Sequence, residues 1–495
     1  MSDIALLPSV NAFLERDHSL YIDGGYVASS STNRLTVLNP ATGEAIAQVS
    51  DATQADVERA VDSANRGFKV WSRTSPAARA SVLFKLADLL ERHREELAQI
   101  ETCQSGKIIH ISRAFEVDQA AHFLRYYAGW ATKITGETIT PSLPSFAGER
   151  YNAFTLREPI GVVVGIVPWN FSTMIAIWKL ASALTTGCSI IIKPSEFTPL
   201  TILRIAELAS EAGLPAGALN VLTGGGSVGK ALIEHPGTDK VSFTGSVPTG
   251  IAVGQGAMGA KLTRATLELG GKNSAGFLPD VDMDKAVNGM IEAGFLHSGQ
   301  ICAAAERFFA HRSQIEPMMD ALSKRLAQLK VGSPLDESTQ FGPVANKQHQ
   351  QKLARFFATA RAENSTIIHG GQISEGPGCY VEPTIILANS VNDTLLNEET
   401  FGPVATFFPY DTEEELLALM NNTAYGLSAS LWTNDLSKAL RLVPEIEAGT
   451  VWVNMHTLLD PAVPFGGTKS SGIGREFGGA FIDDFTELKS VMIRY

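Results

Sequence analysis

Cys302 stands in HSGQICAAAE, a turn of small and polar residues between a helical and a strand-like stretch. A thiol in such a setting is open to substrate, and its thiolate is a strong nucleophile. Cys103, Cys188 and Cys379 lie in helical, strand and loop patterns, where cysteine usually serves as a small hydrophobe. Glu268 lies in TLELGGKN, an acid inside an apolar strand beside two glycines. Burial disfavours its charge and raises its pKa, which suits a general base; a strand-edge acid facing water is the plainer alternative. His297 stands shortly before Cys302, so a Cys–His couple has to be weighed against a histidine at a helix end or in a pocket wall.

A second group of residues suits phosphate and ribose. GGGSVGKA (224–231) nearly matches the P-loop, but Ala231 stands where the Mg²⁺-binding hydroxyl belongs, which leaves a glycine-rich turn before a helix. In FTGSVPTG (243–250), Ser246 presents a hydroxyl and a helix N-terminus to a pyrophosphate, or else is an ordinary N-cap. Lys193 and Glu196 follow a strand at the place where dinucleotide folds hold the adenosine ribose. No GxGxxG follows an early strand. The ten histidines include no HExxH or HxH pair, and no Cys/His cluster has zinc spacing, so no metal site is predicted.

The elements that position these residues alternate. Residues 53–135 read as amphipathic helices, with Asp51 and Ser75-Pro76 as start signals. Strands are predicted at 161–168, 188–194, 218–224 and 240–246, with helices between them, including 173–186 and one ending at Gly213. Their continuous β-branched runs fit parallel strands buried on both faces. Ligands of such sheets sit at the carboxyl ends, which singles out Trp169-Asn170, Lys193 to Glu196, Gly224 to Gly226 and Gly245-Ser246. A second α/β region from about 270 runs through a helix at 282–297, the Cys302 turn and the strand ERFFAHR. Residues 136–158 and the final strand FTELKSVMIRY suggest a small extra sheet, one able to join chains.

Composition narrows the class. The 495 residues suggest about three domains. Lys+Arg 40 against Asp+Glu 52 gives a net charge of −12, which argues against nucleic acid as a partner. Four cysteines without a CxxC pair fit a reducing cytosol. The first residues, MSDIALLPSV, lack a basic region followed by an apolar one, so no secretory signal is expected. The longest apolar run, within IGVVVGIVP, falls short of a membrane span.

Together VPWNF (167–171), KPSEFTP (193–199), FTGS (243–246), LELGGKN (267–273), GQICAA (299–304), EETFGPV (398–404) and PFGGTKSSGIGRE (464–476) resemble the aldehyde dehydrogenase superfamily in order and spacing. The resemblance runs from YIDGGYV to the end. Within it ISRAFEV, YYAGWATKITGETI and VNMHTLLDPAVPFGG are most similar to bacterial phenylacetaldehyde dehydrogenases. It implies Cys302 as the nucleophile that forms a thiohemiacetal and then a thioester, with Asn170 and the Cys302 N–H holding the oxyanion. It implies Glu268 as the base for hydrolysis, and Lys179 and Glu476 in proton relay and base positioning. For NAD, with NADP used less well, it implies Lys193 and Glu196 at the ribose, Ser246 at the pyrophosphate, Glu399 at the nicotinamide ribose and Phe401 near the nicotinamide. Ile166, Trp169, Gly226 and Phe243 complete the cofactor set.

The implied substrate wall is Phe171, Met174, Trp178, Leu296, Ile301, Thr457 and Phe465, with His297 and His456 as departures nearby. No member of the wall is charged, which favours a hydrophobic, aromatic aldehyde such as phenylacetaldehyde, oxidised to phenylacetate. The implied fold is a doubly wound NAD-binding domain (1–135 and 159–269), an α/β catalytic domain (270–475) and oligomerisation segments (136–158 and 476–495). A cytoplasmic homotetramer, a dimer of dimers, is expected, with no nucleic acid or membrane partner. Medium-chain aliphatic aldehydes are the alternative substrates. A cofactor-free Cys hydrolase would leave Lys193, Glu196, Ser246 and Glu399 unexplained, and a CoA-acylating enzyme would not need Glu268. A non-catalytic binding protein would have no use for reactive positions that are all filled.

Overall fold

The computed structural model describes residues 5–495. Its largest sheet has eight strands, in the order Gly472–Ile473, Arg264–Glu268, Lys240–Thr244, Val162–Ile166, Ser189–Lys193, Leu219–Val221, Leu20–Ile22 and Gly25–Val27. The middle five run parallel, and the pairings outside them are antiparallel. The runs VVVGI and SIIIK form the centre because β-branched residues suit a pleat covered on both faces, and those strands are almost wholly buried. Chain order reverses at Val162–Ile166: the next strand in sequence, Ser189–Lys193, lies on one side and Lys240–Thr244 on the other. Such a reversal splays the adjoining loops and opens a crevice at the strands' carboxyl ends.

The second sheet has seven strands, in the order Thr366–His369, Thr384–Leu387, Val404–Tyr410, Ala305–His311, Asn273–Phe277, Ser428–Trp432 and Thr450–Val453. All pairs are parallel except the first. The preceding helix is shorter than predicted. It spans Met283–Gly294, capped by the Asp282 side chain on the Lys285 N–H. His297 and Ser298 then take left-handed φ of 49° and 53°. Tertiary contacts override the helical periodicity here. The Ser298 hydroxyl donates to the Gly342 carbonyl at 2.8 Å. Gly299 has φ 72°, and a Cβ there would lie 2.1 Å from the Gly402 carbonyl oxygen, so only glycine fits. This turn sets Cys302 just before the central strand, Ala305–His311.

The residues read as helical over 53–135 form helices Gln54–Trp71, Pro76–Arg92, Arg94–Ser105 and Gln119–Trp130, with a wider π-helical turn at Ser112–Asp118. Ser75 caps its helix as expected, but the first start signal is Thr53 rather than Asp51, in a capping box with Asp56. Thr486–Arg494 pairs antiparallel along its whole length with Tyr151–Pro159, and Thr138–Ile139 adds a third strand. A further small sheet joins Asp17–His18, Ala45–Ser50 and Arg34–Leu38. Residues 472–473, read from sequence with the second α/β region, pair instead with the first sheet. Among the described residues no helix is long and apolar enough to cross a membrane.

Candidate active site

A cleft of about 820 Å³ lies at the reversal point of the large sheet. Ile166, Trp169, Lys193, Glu196, Gly226, Phe243 and Ser246, all singled out from sequence, line it. Two helix N-termini open onto it, at Gly226–Glu234 and Val247–Lys261, offering unpaired N–H groups to an anion. A Cβ on Gly225 or Gly226 would meet nothing within 4 Å, so backbone can approach a ligand there. The Lys193 ammonium is buried and lies 3.8 Å from the half-exposed Glu196 carboxylate. A donor and an acceptor at that spacing match the two hydroxyls of a ribose. The cleft runs without a break into a second cavity of about 170 Å³, sharing Pro168, Trp169, Thr244, Gly245 and Ser246 with it. That cavity holds Cys302, Glu268, Asn170, Glu399 and Phe401. Lys193 and Glu196 stand at one end of the joined cavities and Cys302 at the other.

Cys302 sits where the cavity meets a third, apolar one, and lines both. Burial first, then the nearby Glu268 and Glu399, push its thiol pKa up to about 12. The Asn170 side chain donates one N–H to the Gln300 carbonyl at 2.9 Å and is buried, yet it lines both cavities beside Cys302. Its second N–H has no acceptor among the described residues. Among the described residues, no hydrogen bond takes up the Cys302 N–H.

Both carboxylate oxygens of Glu268 are buried without a hydrogen-bond partner. Burial, then Glu476, raises its pKa well above the usual carboxylate range, partly opposed by Lys179 and Arg475. The solvated strand-edge alternative is therefore excluded. Gly466 packs against this acid: its φ is 156°, and a Cβ would lie 2.8 Å from Glu268 Oε1. Behind it, Lys179 donates to Glu476 and to the Ser242 hydroxyl, each at 3.0 Å.

The 398–401 turn is held from beneath. Glu306 accepts from the Thr400 and Phe401 N–H groups and the Thr400 hydroxyl, and pairs with buried Lys272. This lets Phe401 keep a φ of 57° and set its ring edge-on to Trp169 at 5.4 Å. Glu399 accepts from the Gly271 N–H at 2.9 Å, and burial raises its pKa to about 7.

All seven residues of the expected substrate wall, Phe171, Met174, Trp178, Leu296, Ile301, Thr457 and Phe465, line the apolar cavity. Phe115, Gln119, Phe123, Leu458 and Leu459 join them, unforeseen from sequence. Neither histidine couples to the thiol: among the described residues, no hydrogen bond joins Cys302 to His297 or His456. His297 backs the wall, edge-on to Phe171 at 5.4 Å, and burial holds its pKa well below the ordinary value. The His456 ring nitrogen pairs with the Ala303 carbonyl at 2.7 Å. Asn273, also missed, donates to the Cys302 and Ala304 carbonyls at 2.7 and 2.9 Å and so clamps the Cys302 turn.

Known proteins share this fold. The chain matches the Aldehyde dehydrogenase family over residues 26–491. A phenylacetaldehyde dehydrogenase of Pseudomonas fluorescens is 44% identical over 496 aligned positions, covering 99% of this chain and 98% of the relative. The NAD+ complex of an aldehyde dehydrogenase from Bacillus cereus superposes with a TM-score of 0.96 at 38% identity, covering 99% of both chains. Betaine aldehyde dehydrogenase from Staphylococcus aureus, also with NAD+, gives 0.94 at 36% identity, covering 98% of this chain and 96% of that one. The chain belongs to the aldehyde dehydrogenase family.

Proposed function

We propose that the protein is an NAD-dependent dehydrogenase of arylacetaldehydes, with phenylacetaldehyde oxidised to phenylacetate as its reaction. The Cys302 thiol gives its proton up to solvent through the cleft, the sulfur attacks the aldehyde carbon, and the free Asn170 N–H and the Cys302 N–H take the oxygen as it becomes negative in the thiohemiacetal. Such a donor is typically worth ~3–4 kcal/mol because it is fixed before charge develops. When bound, NAD supplies the hydride acceptor. Glu268 then removes a proton from water, which attacks the thioester carbonyl; the sulfur leaves and the acid is released. Lys179 and Glu476 carry the proton onward from Glu268. Lys193 and Glu196 hold the adenosine ribose, Ser246 the pyrophosphate and Glu399 the nicotinamide ribose, with Phe401 beside the nicotinamide. Glu196 would repel the extra phosphate of NADP, so NAD is preferred.

The observation that carries the substrate reading is the uncharged, aromatic wall that ends at Cys302 and Asn170. Phe171 and Phe465 can flank a ring, and nothing charged in the wall pairs with a carboxylate or a quaternary ammonium. The 44% identical relative supports the same reading. The test is kcat/KM for phenylacetaldehyde, hexanal, succinic semialdehyde and betaine aldehyde in one buffer. Phenylacetaldehyde ranks first; a charged aldehyde in first place would overturn the assignment.

The large sheet with its flanking helices serves as the NAD-binding domain and the seven-stranded sheet as the catalytic one. Residues 136–158 and 476–495 serve oligomerisation in a cytoplasmic homotetramer. Exposed Leu156, Leu488, Met492 and Ile493 on the outlying sheet support that role. Native mass spectrometry and cell fractionation check the last two points; a monomer would remove the role assigned to the segments.

A further inference from the structure

Two polar atoms of residues that line the apolar cavity have no partner. Gln119 Oε1 and Trp178 Nε1 are both buried without a hydrogen bond, and both residues line the cavity that ends at Cys302. The other polar side chains of the wall are accounted for. The Thr457 hydroxyl donates to the Glu292 carbonyl at 3.1 Å, and Asn170 and Cys302 belong to the reaction centre. Buried polar groups are nearly always paired, so two orphans in one binding cavity point to a ligand group.

Phe123 neighbours both residues. Gln119 and Phe123 are one helical turn apart on Gln119–Trp130, so they share a face. The Phe123 ring lies 5.5 Å from that of Trp178, which projects from the helix Ser172–Thr186. Phe115, Gln119 and Phe123 form one stripe, and Phe171, Met174 and Trp178 form the facing one. Gln119 directly follows the π-helical turn Ser112–Asp118, an irregularity that often marks functional sites.

The chemistry of the pair selects its ligand. Indole N–H can only donate, and the amide oxygen can only accept. A hydroxyl has both capacities, an oxygen to accept from the Trp178 N–H and a hydrogen to give to Gln119 Oε1. A carboxylate satisfies only the first, an ammonium only the second, and a bare ring neither. Resting on the arylacetaldehyde reading above, we infer that Gln119 and Trp178 recognise a hydroxyl on the substrate's ring, so that a ring-hydroxylated arylacetaldehyde is preferred to phenylacetaldehyde itself. The reaction that supplies it is then one that makes aldehydes from phenolic amines or alcohols.

The experiment compares kcat/KM for 2-, 3- and 4-hydroxyphenylacetaldehyde with that for phenylacetaldehyde. At least one hydroxylated isomer exceeds phenylacetaldehyde by about tenfold, since one good hydrogen bond has about that worth and unfilled polar groups penalise the bare ring. Gln119→Leu and, independently, Trp178→Phe each bring that ratio down several-fold, and each variant is checked for an unchanged melting temperature. A ratio near one in the wild type, or a ratio that both folded variants leave intact, overturns the inference while arylacetaldehyde oxidation stands. Failure of every arylacetaldehyde as a substrate overturns both the inference and the reading on which it rests.

Discussion

Asn170→Ala separates catalysis from stability. The Asn170 amide carries two N–H bonds with different duties. One donates to the Gln300 carbonyl at 2.9 Å, and Gln300 is fully buried. The other is free beside Cys302. Loss of the free N–H removes one oxyanion donor, which lowers the rate of hydride formation by about 10²–10³, or ~2.7–4 kcal/mol in the barrier. Loss of the bound N–H leaves a buried carbonyl unpaired, at a cost of about 1–3 kcal/mol in unfolding free energy. Stopped-flow measurement of the NADH burst reads the first effect and denaturant unfolding reads the second. Asn170→Asp keeps the shape but sets a carboxylate oxygen against the Gln300 carbonyl and a negative charge where the oxyanion forms, so its burst is slower still. A folded Asn170→Ala enzyme whose burst slows by less than about fivefold would refute the assignment, because one fixed donor is worth far more than that.

Cys302→Ser loses nearly all dehydrogenase activity, because a hydroxyl near neutral pH is a far poorer nucleophile; retention of a large share of turnover would remove Cys302 from the mechanism. Glu268→Gln gives a burst of NADH followed by slow turnover, whereas an equal loss of burst and steady state would move Glu268 to the first step. Because the Glu268 pKa is raised on folding, its stabilising contribution is complete below the unfolded-state value and is lost as pH rises through the folded one. Glu268→Gln therefore melts higher than wild type at alkaline pH and no higher at acid pH; the opposite order would contradict the burial of this acid. For the cofactor, kcat/KM is higher with NAD than with NADP, and Glu196→Ser narrows the gap; a wild-type preference for NADP would overturn the role of Glu196.

The legible and illegible parts of this site divide along a physical line. Strand-end residues such as Lys193, Glu196 and Ser246 could be found because a β-branched run announces a buried parallel strand locally, and such sheets bind at their carboxyl ends. The wall from Phe171 to Phe465 came instead from motif resemblance, since nothing in its spacing separates a cavity from a core. The stripe Phe115, Gln119, Phe123 went unread for that reason: an apolar helix face has the same period whether it meets other side chains or a ligand. The helix read to His297 ends at Gly294 because Ser298 and Gly299 are fixed by residues more than forty positions away, at Gly342 and Gly402. Asn273 and the pair Lys272–Glu306 are the extreme case. In sequence they look like solvated polar residues near strand ends. In the fold they are buried, and their partners are the backbone of the Cys302 turn and of the Thr400–Phe401 turn. Losing one partner of such a buried pair leaves an uncompensated charge at a cost of about 3–5 kcal/mol. The reacting residues are thus written in local motifs. The groups that hold them in place are written in pairings that only the folded chain creates.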